Sequence, residues 1–233
     1  LIALEHFRDC IAAIGDLPEF RGRPVFIQGT SKGAEAALLL CARRIVDVDG
    51  AILISPSRYV WGAAEDLEAL HRGAAKEASC WSWGGEPVAF VPFDPGSPTL
   101  PEYVTVAGAQ YLVFKDTWYP RLSGNTGLID LQDLTTPLLL FSGEDDLLWP
   151  STRAAREIEA SLQDLGKAEL VRHVSFPGVG HQIPFPGKNP VLQIAHPQLG
   201  YAIAYGGDEH RTRAAAETWW LETRRFLQTK RQA

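Results

Sequence analysis

The stretch Pro24–Leu40, PVFIQGTSKGAEAALLL, passes from a short apolar run into a glycine-flanked serine and then into helix-favouring residues. Val25-Phe26-Ile27 has the apolar, β-branched and aromatic character of a buried strand. Gly29-Thr30-Ser31-Lys32-Gly33 follows, and Ala34 to Leu40 continues in residues that favour helix. The order is strand, sharp turn, helix, with glycines two residues either side of Ser31 in the spacing G-x-S-x-G of a nucleophile elbow. A serine on such a turn projects its Oγ above the sheet, and side chains two residues away are expected to collide there. The backbone N–H of Lys32 would then face a developing oxyanion from the helix N-terminus. On its own the motif fits equally well a Gly–Ser turn with Ser31 as helix N-cap.

Outward from this stretch, the chain alternates helices and apolar strands. Leu1, Leu4, Phe7, Ile11 and Ile14 recur at helical spacing, so they predict a core-facing helix ended by Gly15 and Pro18. The helix after Ser31 is apolar on nearly every face and is expected to run to about Arg44, buried against a sheet. Gly50–Ser55 reads as the next strand, stopped by Pro56, and Thr136–Ser142 as another. Ser151 is expected to cap a helix through about Leu165, with Ala154, Ile158 and Leu162 on one face. Glu169–Phe176 reads as a strand and Thr212 to about Lys230 as a terminal helix turning Ala215, Trp219, Thr223 and Phe226 inward. Val-, Ile- and Leu-rich runs alternating with helices predict a mostly parallel sheet with helices on both faces. Residues 57–134 break the rhythm, being rich in Gly, Pro and aromatics. They are expected to form an insertion over the strand ends, helical near Ala63–Glu77, its aromatics mostly gluing it to the body of one 1–233 domain.

A serine hydroxyl is a weak nucleophile without an adjacent base that a third group orients. In α/β-hydrolases the order along the chain is serine, acid, histidine, each past the end of a strand. Ser31 follows Val25–Gln28, Asp146 follows Leu138–Ser142, and His181 follows Leu170–Phe176 on the turn Pro177-Gly178-Val179-Gly180. Ligand and catalytic groups gather at these carboxyl ends in an open sheet. The expected triad is Ser31, Asp146 and His181. Asp146 is chosen for its place three residues past Gly143, with Asp145 as the alternative acid. His6, His71, His173, His196 and His210 lack such a setting and are expected to be surface or hydrogen-bonded core residues.

The formal charge of −6 and the lack of a basic run argue against nucleic acid as partner. No apolar stretch approaches the roughly 20 residues that span a bilayer, so no membrane partner is expected. Cys10, Cys41 and Cys80 have no metal spacing and read as thiols in a reducing compartment, which predicts a cytoplasmic protein. The chain has no Met and opens directly in a helical pattern.

These residues resemble the C-terminal domain of the acyl-CoA thioesterase and bile acid-CoA:amino acid N-acyltransferase family. The resemblance rests on Gly29-Thr30-Ser31-Lys32-Gly33 with Glu35, Gly143-Glu144-Asp145-Asp146 with Trp149, and Pro177-Gly178-Val179-Gly180-His181. Gly84-Gly85-Glu86-Pro87 and Gly206-Gly207 add to it. It implies an α/β-hydrolase fold with Ser31, Asp146 and His181 as nucleophile, acid and base. It further implies an acyl-serine intermediate, a coenzyme A thioester as substrate and no cofactor. Family members with serine at the elbow resemble thioesterases, whereas the bile-acid transferases carry cysteine there, so Ser31 favours water as acceptor.

Members of the family begin with a β-sandwich and the first strands of the hydrolase sheet, and this sequence shows neither. The second oxyanion donor normally lies among those strands. An upstream segment or a second chain is therefore expected as partner. Gly33-Ala34 replaces the more usual Gly-Gly. Arg58, Arg72 and Arg121 lie in the insertion and could bind the carboxylate or sulfonate of an amino-acid acceptor, though surface arginines are the commoner case. The alternatives are an N-acyltransferase, a carboxylesterase or dienelactone-type hydrolase, and a truncated hydrolase-like subunit without activity.

Overall fold

The computed structural model describes residues 1–63, 78–92, 102–106, 109–122, 124–195 and 201–228. Its centre is a parallel sheet of four strands: β1 (Phe26–Thr30), β2 (Gly50–Ile54), β3 (Leu138–Gly143) and β4 (Val171–Phe176). They lie side by side in chain order, β1-β2-β3-β4. Thr30 pairs with Ile54, Ile54 with Phe141, and Gly143 with Phe176, so the carboxyl ends of all four strands finish together. Ser31 and the loops after Gly143 and Phe176 therefore leave from one end of the sheet.

β2 and β3 are buried at every position, which is why Ala51–Ile54 and Leu138–Phe141 read as unbroken apolar runs. Their side chains alternate between two cores. Ala51, Leu53, Leu138 and Leu140 meet a layer that contains helix α2 (Lys32–Ala42) and helix α3 (Ser151–Asp164). Ile52, Ile54, Leu139 and Phe141 meet Ala215, Ala216 and Trp219 of the terminal helix α4 (Glu209–Gln228). The molecule is thus a mixed α/β protein with helices on both faces of a parallel sheet.

Helix α1 (Leu4–Asp16) starts later than the sequence suggests, because Ile2–Ala3 pair in parallel with Trp81–Ser82. Leu4 alone of its apolar stripe is fully buried, Phe7 and Ile11 are half-buried against the first core, and Leu1 and Ile14 are 70% and 50% exposed. The expected inward face holds only for its middle, since α1 lies at the rim of the core against Trp81–Trp83. β1 extends to Thr30, right up to the turn, and α2 stops at Ala42. Ala168–Leu170 forms a 3₁₀ turn, so β4 begins at Val171. α4 begins three residues early, at Glu209, where the Asp208 carboxylate accepts from the Arg211 N–H at 2.9 Å.

A second sheet, in the order Gln193–Ala195, Ala202–Ala204, Ala109–Val113, Glu102–Val106, joins residues from both sides of β3 and β4. The helix expected near 63–77 lies outside the described residues, except Ala63, which belongs to a two-residue strand. Cys10, Cys41 and Cys80 are free, and burial pushes the Cys41 thiol up to about 12. Among the described residues no helix is long and apolar enough to cross a membrane.

Candidate active site

The site begins where β1 runs into α2. Ser31 has φ 58° and ψ −123°, a conformation that costs a non-glycine residue roughly 1–3 kcal/mol. Hydrogen bonds hold it there. Its N–H donates to Ile54 O at 2.9 Å, and its carbonyl accepts from Ala34 N (2.9 Å) and Glu35 N (3.1 Å). Ser31 holds the N-cap position of α2, but its side chain makes no capping bond, so it is a cap by place and not by hydrogen bonding. Gly29 is needed for the turn, since a Cβ there would lie 2.1 Å from Gly33 O. Gly33 is not constrained in the same way. A Cβ at Gly33 would meet nothing within 4 Å, because the helix carries it outward, and the expected collision arises on the Gly29 side alone.

As the first residue of α2, Lys32 has a backbone N–H without an acceptor inside the helix. Its side chain is occupied: Nζ pairs with Glu35 and donates to Trp61 O at 3.0 Å. Glu35 is fully buried and also accepts from Trp81 Nε1 (2.7 Å) and Trp61 N (3.3 Å). Burial raises the Glu35 carboxyl above its ordinary value of 4.5, against the opposing pull of Lys32 and the tryptophan donors.

The loop after β3 sorts its three acidic residues. Glu144 and Asp145 are exposed, whereas Asp146 is buried. Asp146 Oδ2 accepts from His181 Nδ1 at 2.9 Å and from Ser151 Oγ at 2.7 Å. Its Oδ1 accepts from the Leu148 and Trp149 N–H groups at 2.9 and 3.1 Å. Ser151 is the first residue of α3 rather than its cap; Pro150 holds the cap position and the Ser151 hydroxyl turns to the carboxylate instead.

His181 is 1% exposed, with its ring set edge-on to Trp149 at 5.5 Å and tilted against Tyr205 at 5.6 Å. Its N–H donates to Tyr205 O at 2.8 Å, and its carbonyl accepts from Ser55 Oγ at 2.6 Å. With Nδ1–H directed to the carboxylate, a neutral imidazole presents the lone pair of Nε2. Nε2 is buried and makes no hydrogen bond among the described residues, so the structure brings Asp146 and His181 together but forms no Ser31–His181 bond. The two loops that carry the pair touch backbone to backbone. A Cβ at Gly143 would lie 2.2 Å from the carbonyl oxygens of Val179 and Gly180, and one at Gly180 would lie 2.2 Å from Gly206 O.

The other histidines stand apart. His173 bridges Ser142 Oγ and Glu159 at 2.8 Å each, His6 lies 3.8 Å from Cys10 Sγ, and His210 is exposed on α4. His71 and His196 lie outside the described residues, as do Arg72 and the side chain of Arg121. Arg58 is buried and reaches Ser161 Oγ at 3.4 Å. A cleft of about 530 Å³, lined in part by Tyr111, Val113, Leu147, Leu192 and Ala204, opens beside the Asp146 loop. Among the described residues no group of three or more His, Cys, Asp or Glu side chains is arranged to hold a metal ion. Sequence reading missed Ser55 and the carboxylate-binding role of Ser151. The spacing of Ser151, five residues past Asp146, was the signal available for the second.

A parallel sheet with helices on both faces, carrying a strained serine turn and a buried Asp–His pair past its strand ends, defines an α/β protein with its candidate site where open sheets hold theirs. Comparison with known proteins narrows the class. Residues 2–233 match the family described as BAAT / Acyl-CoA thioester hydrolase C terminal, and the chain belongs to that family. It is 25% identical over 228 residues to acyl-coenzyme A thioesterase 6 of Homo sapiens, covering 97% of this chain and 48% of that protein. It is also 25% identical over 236 residues to acyl-coenzyme A amino acid N-acyltransferase 2 of Mus musculus, covering 97% and 49%. Acyl-coenzyme A thioesterase 2, mitochondrial, of Mus musculus is 23% identical over 224 residues, covering 96% and 44%. The chain spans about half the length of these relatives.

Proposed function

We propose that this chain is the catalytic part of an acyl-CoA thioesterase of the α/β-hydrolase fold, with Ser31 as nucleophile, His181 as base and Asp146 as the group that orients it. One observation carries the reading: His181 commits Nδ1–H to a carboxylate held by three further donors, which leaves Nε2 as the basic lone pair on a loop at the same end of the sheet as Ser31. In the reaction, Nε2 takes the Ser31 proton as Oγ attacks the thioester carbonyl. The oxyanion forms against the Lys32 N–H. The C–S bond then breaks, and coenzyme A leaves as the thiol with the proton held by His181. Water, deprotonated by the same nitrogen, attacks the acyl-Ser31 ester, and the free acid departs as Oγ recovers its proton. Coenzyme A enters as part of the substrate, and the scheme uses no cofactor.

The reading extends to the molecule around the site. Residues 1–233 form one hydrolase unit with 57–134 inserted over the strand ends. In support, Trp61 packs edge-on to Trp118 at 5.0 Å, Trp118 to Trp149 at 5.8 Å, and Trp149 to His181. The cleft beside Leu147, whose wall includes Val113, Leu192 and Ala204 as well as the polar Lys115, Asp116 and Gln193, offers an apolar surface for an acyl chain. β1 is one of the two edge strands of its sheet among the described residues. A segment pairing along its outer edge, from upstream or from a second chain, would supply the second oxyanion donor. Three free thiols support the cytoplasm as location, and the net charge of −6 speaks against nucleic acid as a partner.

The test is incubation of the complete polypeptide with acyl-CoA plus millimolar glycine or taurine, with mass-spectrometric analysis of products and of protein treated with a fluorophosphonate. Free acid as main product and an adduct on Ser31 are expected. Predominant N-acyl amino acid would move the assignment to transferase, a reading favoured by the match to the mouse N-acyltransferase. Turnover of esters but not thioesters would favour a carboxylesterase or dienelactone-type enzyme. Neither turnover nor adduct would favour a hydrolase-like subunit without activity.

A further inference from the structure

We propose that Ser55 is a positioning residue that sets the place of His181 relative to Ser31. Ser55 lies immediately past the carboxyl end of β2, is completely buried, and has φ 50°, one of three non-glycine residues with positive φ among the described residues. A serine pays for that backbone conformation with strain that alanine would share and glycine would not. Each of its polar groups goes to a different part of the site. The N–H donates to Phe141 O of β3 at 2.8 Å. The carbonyl accepts from Trp149 Nε1 at 3.0 Å, on the loop whose N–H groups hold Asp146. The hydroxyl donates to the His181 carbonyl at 2.6 Å. The carbonyl just before it, Ile54 O, accepts the Ser31 N–H at 2.9 Å. The nucleophile turn, the acid loop and the histidine loop are therefore tied to one dipeptide, Ile54-Ser55. No other residue described above bonds the backbone of His181 and also adjoins the bond that fixes Ser31.

The chemical consequence is specific. The Asp146 bond orients the His181 ring about its own axis, but the height of the ring above the sheet depends on where its backbone is held. Tyr205 O holds the N–H of that backbone, and Ser55 Oγ holds its carbonyl from the residue next to Ile54, whose own carbonyl fixes Ser31. Without the Ser55 bond the ring keeps its acid but drifts from Ser31, and a displacement of about 1 Å costs on the order of 10²-fold in rate. Substrate contacts are untouched, so the loss falls on kcat and not on KM.

This role rests on the triad reading, and the experiment separates the two. Ser55→Ala, Ser55→Gly and wild type are compared in the complete polypeptide for kcat and KM with an acyl-CoA, fluorophosphonate labelling rate at Ser31, and thermal midpoint. Ser55→Gly removes the hydroxyl while relieving the left-handed strain, so it is expected to melt no lower than Ser55→Ala. Both variants are expected to lose about 10²-fold in kcat and in labelling rate, with KM unchanged. Equal loss in Ser55→Gly and Ser55→Ala despite different melting points supports positioning. Wild-type kcat and labelling in either folded variant would overturn it, as would a loss that tracks the melting point. Failure of the wild type itself to label at Ser31 would instead overturn the triad reading, and this role with it.

Discussion

At the scale of single residues, the two adjacent aspartates give the sharpest contrast. Asp146 accepts four hydrogen bonds, one from His181, while Asp145 faces solvent and contributes its N–H to Val179 O at 2.9 Å. Asp146→Asn is expected to lower kcat by about 10⁴, since an amide reverses the donor sense on which the imidazole tautomer depends. Asp145→Asn is expected to stay near wild type in the same thioesterase assay, and the reverse ranking would reassign the acid. Glu35 gives a second expectation. Burial raises its carboxyl in the folded state above the unfolded value near 4.5, so the folded protein holds this proton more tightly. Its contribution to stability is then fully present below that value and is lost as pH rises through the raised one. Thermal melts of wild type and Glu35→Gln across this range test it: the wild type is expected to lose ground to the variant as pH increases. How much of this sequence reading reached is uneven for a physical reason. Ser31, Asp146 and His181 each follow a strand and are legible from local pattern. Ser55 is one serine before a proline, and nothing local reveals that its hydroxyl meets a carbonyl 126 residues away.

At the scale of elements, the parallel strands were the most legible part, because a strand buried on both faces must be apolar at every position. Leu138–Phe141 and Ala51–Ile54 obey this without exception. Helices with one wet face were harder. α1 shows the periodicity of a core helix, yet Ile14 faces outward and Leu1 precedes the helix altogether, since periodicity specifies a face and not what covers it. Ser151 was misjudged for another reason: its residue type suits a cap, but it stands one residue inside the helix, where its hydroxyl donates to the buried Asp146 carboxylate. α4 was read correctly where it matters, with Ala215, Trp219 and Thr223 buried and Phe226 packed edge-on to Phe26 at 5.7 Å. Trp219 is 1% exposed, meets Phe141 and Phe185 edge-on, and donates Nε1–H to Pro184 O at 2.7 Å. Trp219→Ala is expected to cost about 3–5 kcal/mol in urea unfolding, through the cavity and the carbonyl left without its donor.

At the scale of the whole molecule, the sequence conveyed the alternation of strand and helix but not the company kept by residues 57–134. Their strand Ala109–Val113, itself paired with Glu102–Val106, also pairs with Ala202–Ala204 from beyond the histidine loop, a partnership between segments about ninety residues apart that no local pattern records. The glycines packed between the acid and histidine loops have a consequence of another kind. Loops at binding sites ordinarily open locally, and their amide protons then exchange with solvent long before the core unfolds. Here the N–H groups of Asp145, Leu147, His181 and Asp208 are all bonded to carbonyls of neighbouring loop segments, and Gly143, Gly180 and Gly206 leave no side chain between those backbones. Opening one loop means breaking into the others, so deuterium uptake in residues 177–182 should be as slow as in β3, and Gly180→Ala should turn that segment into one that labels within seconds.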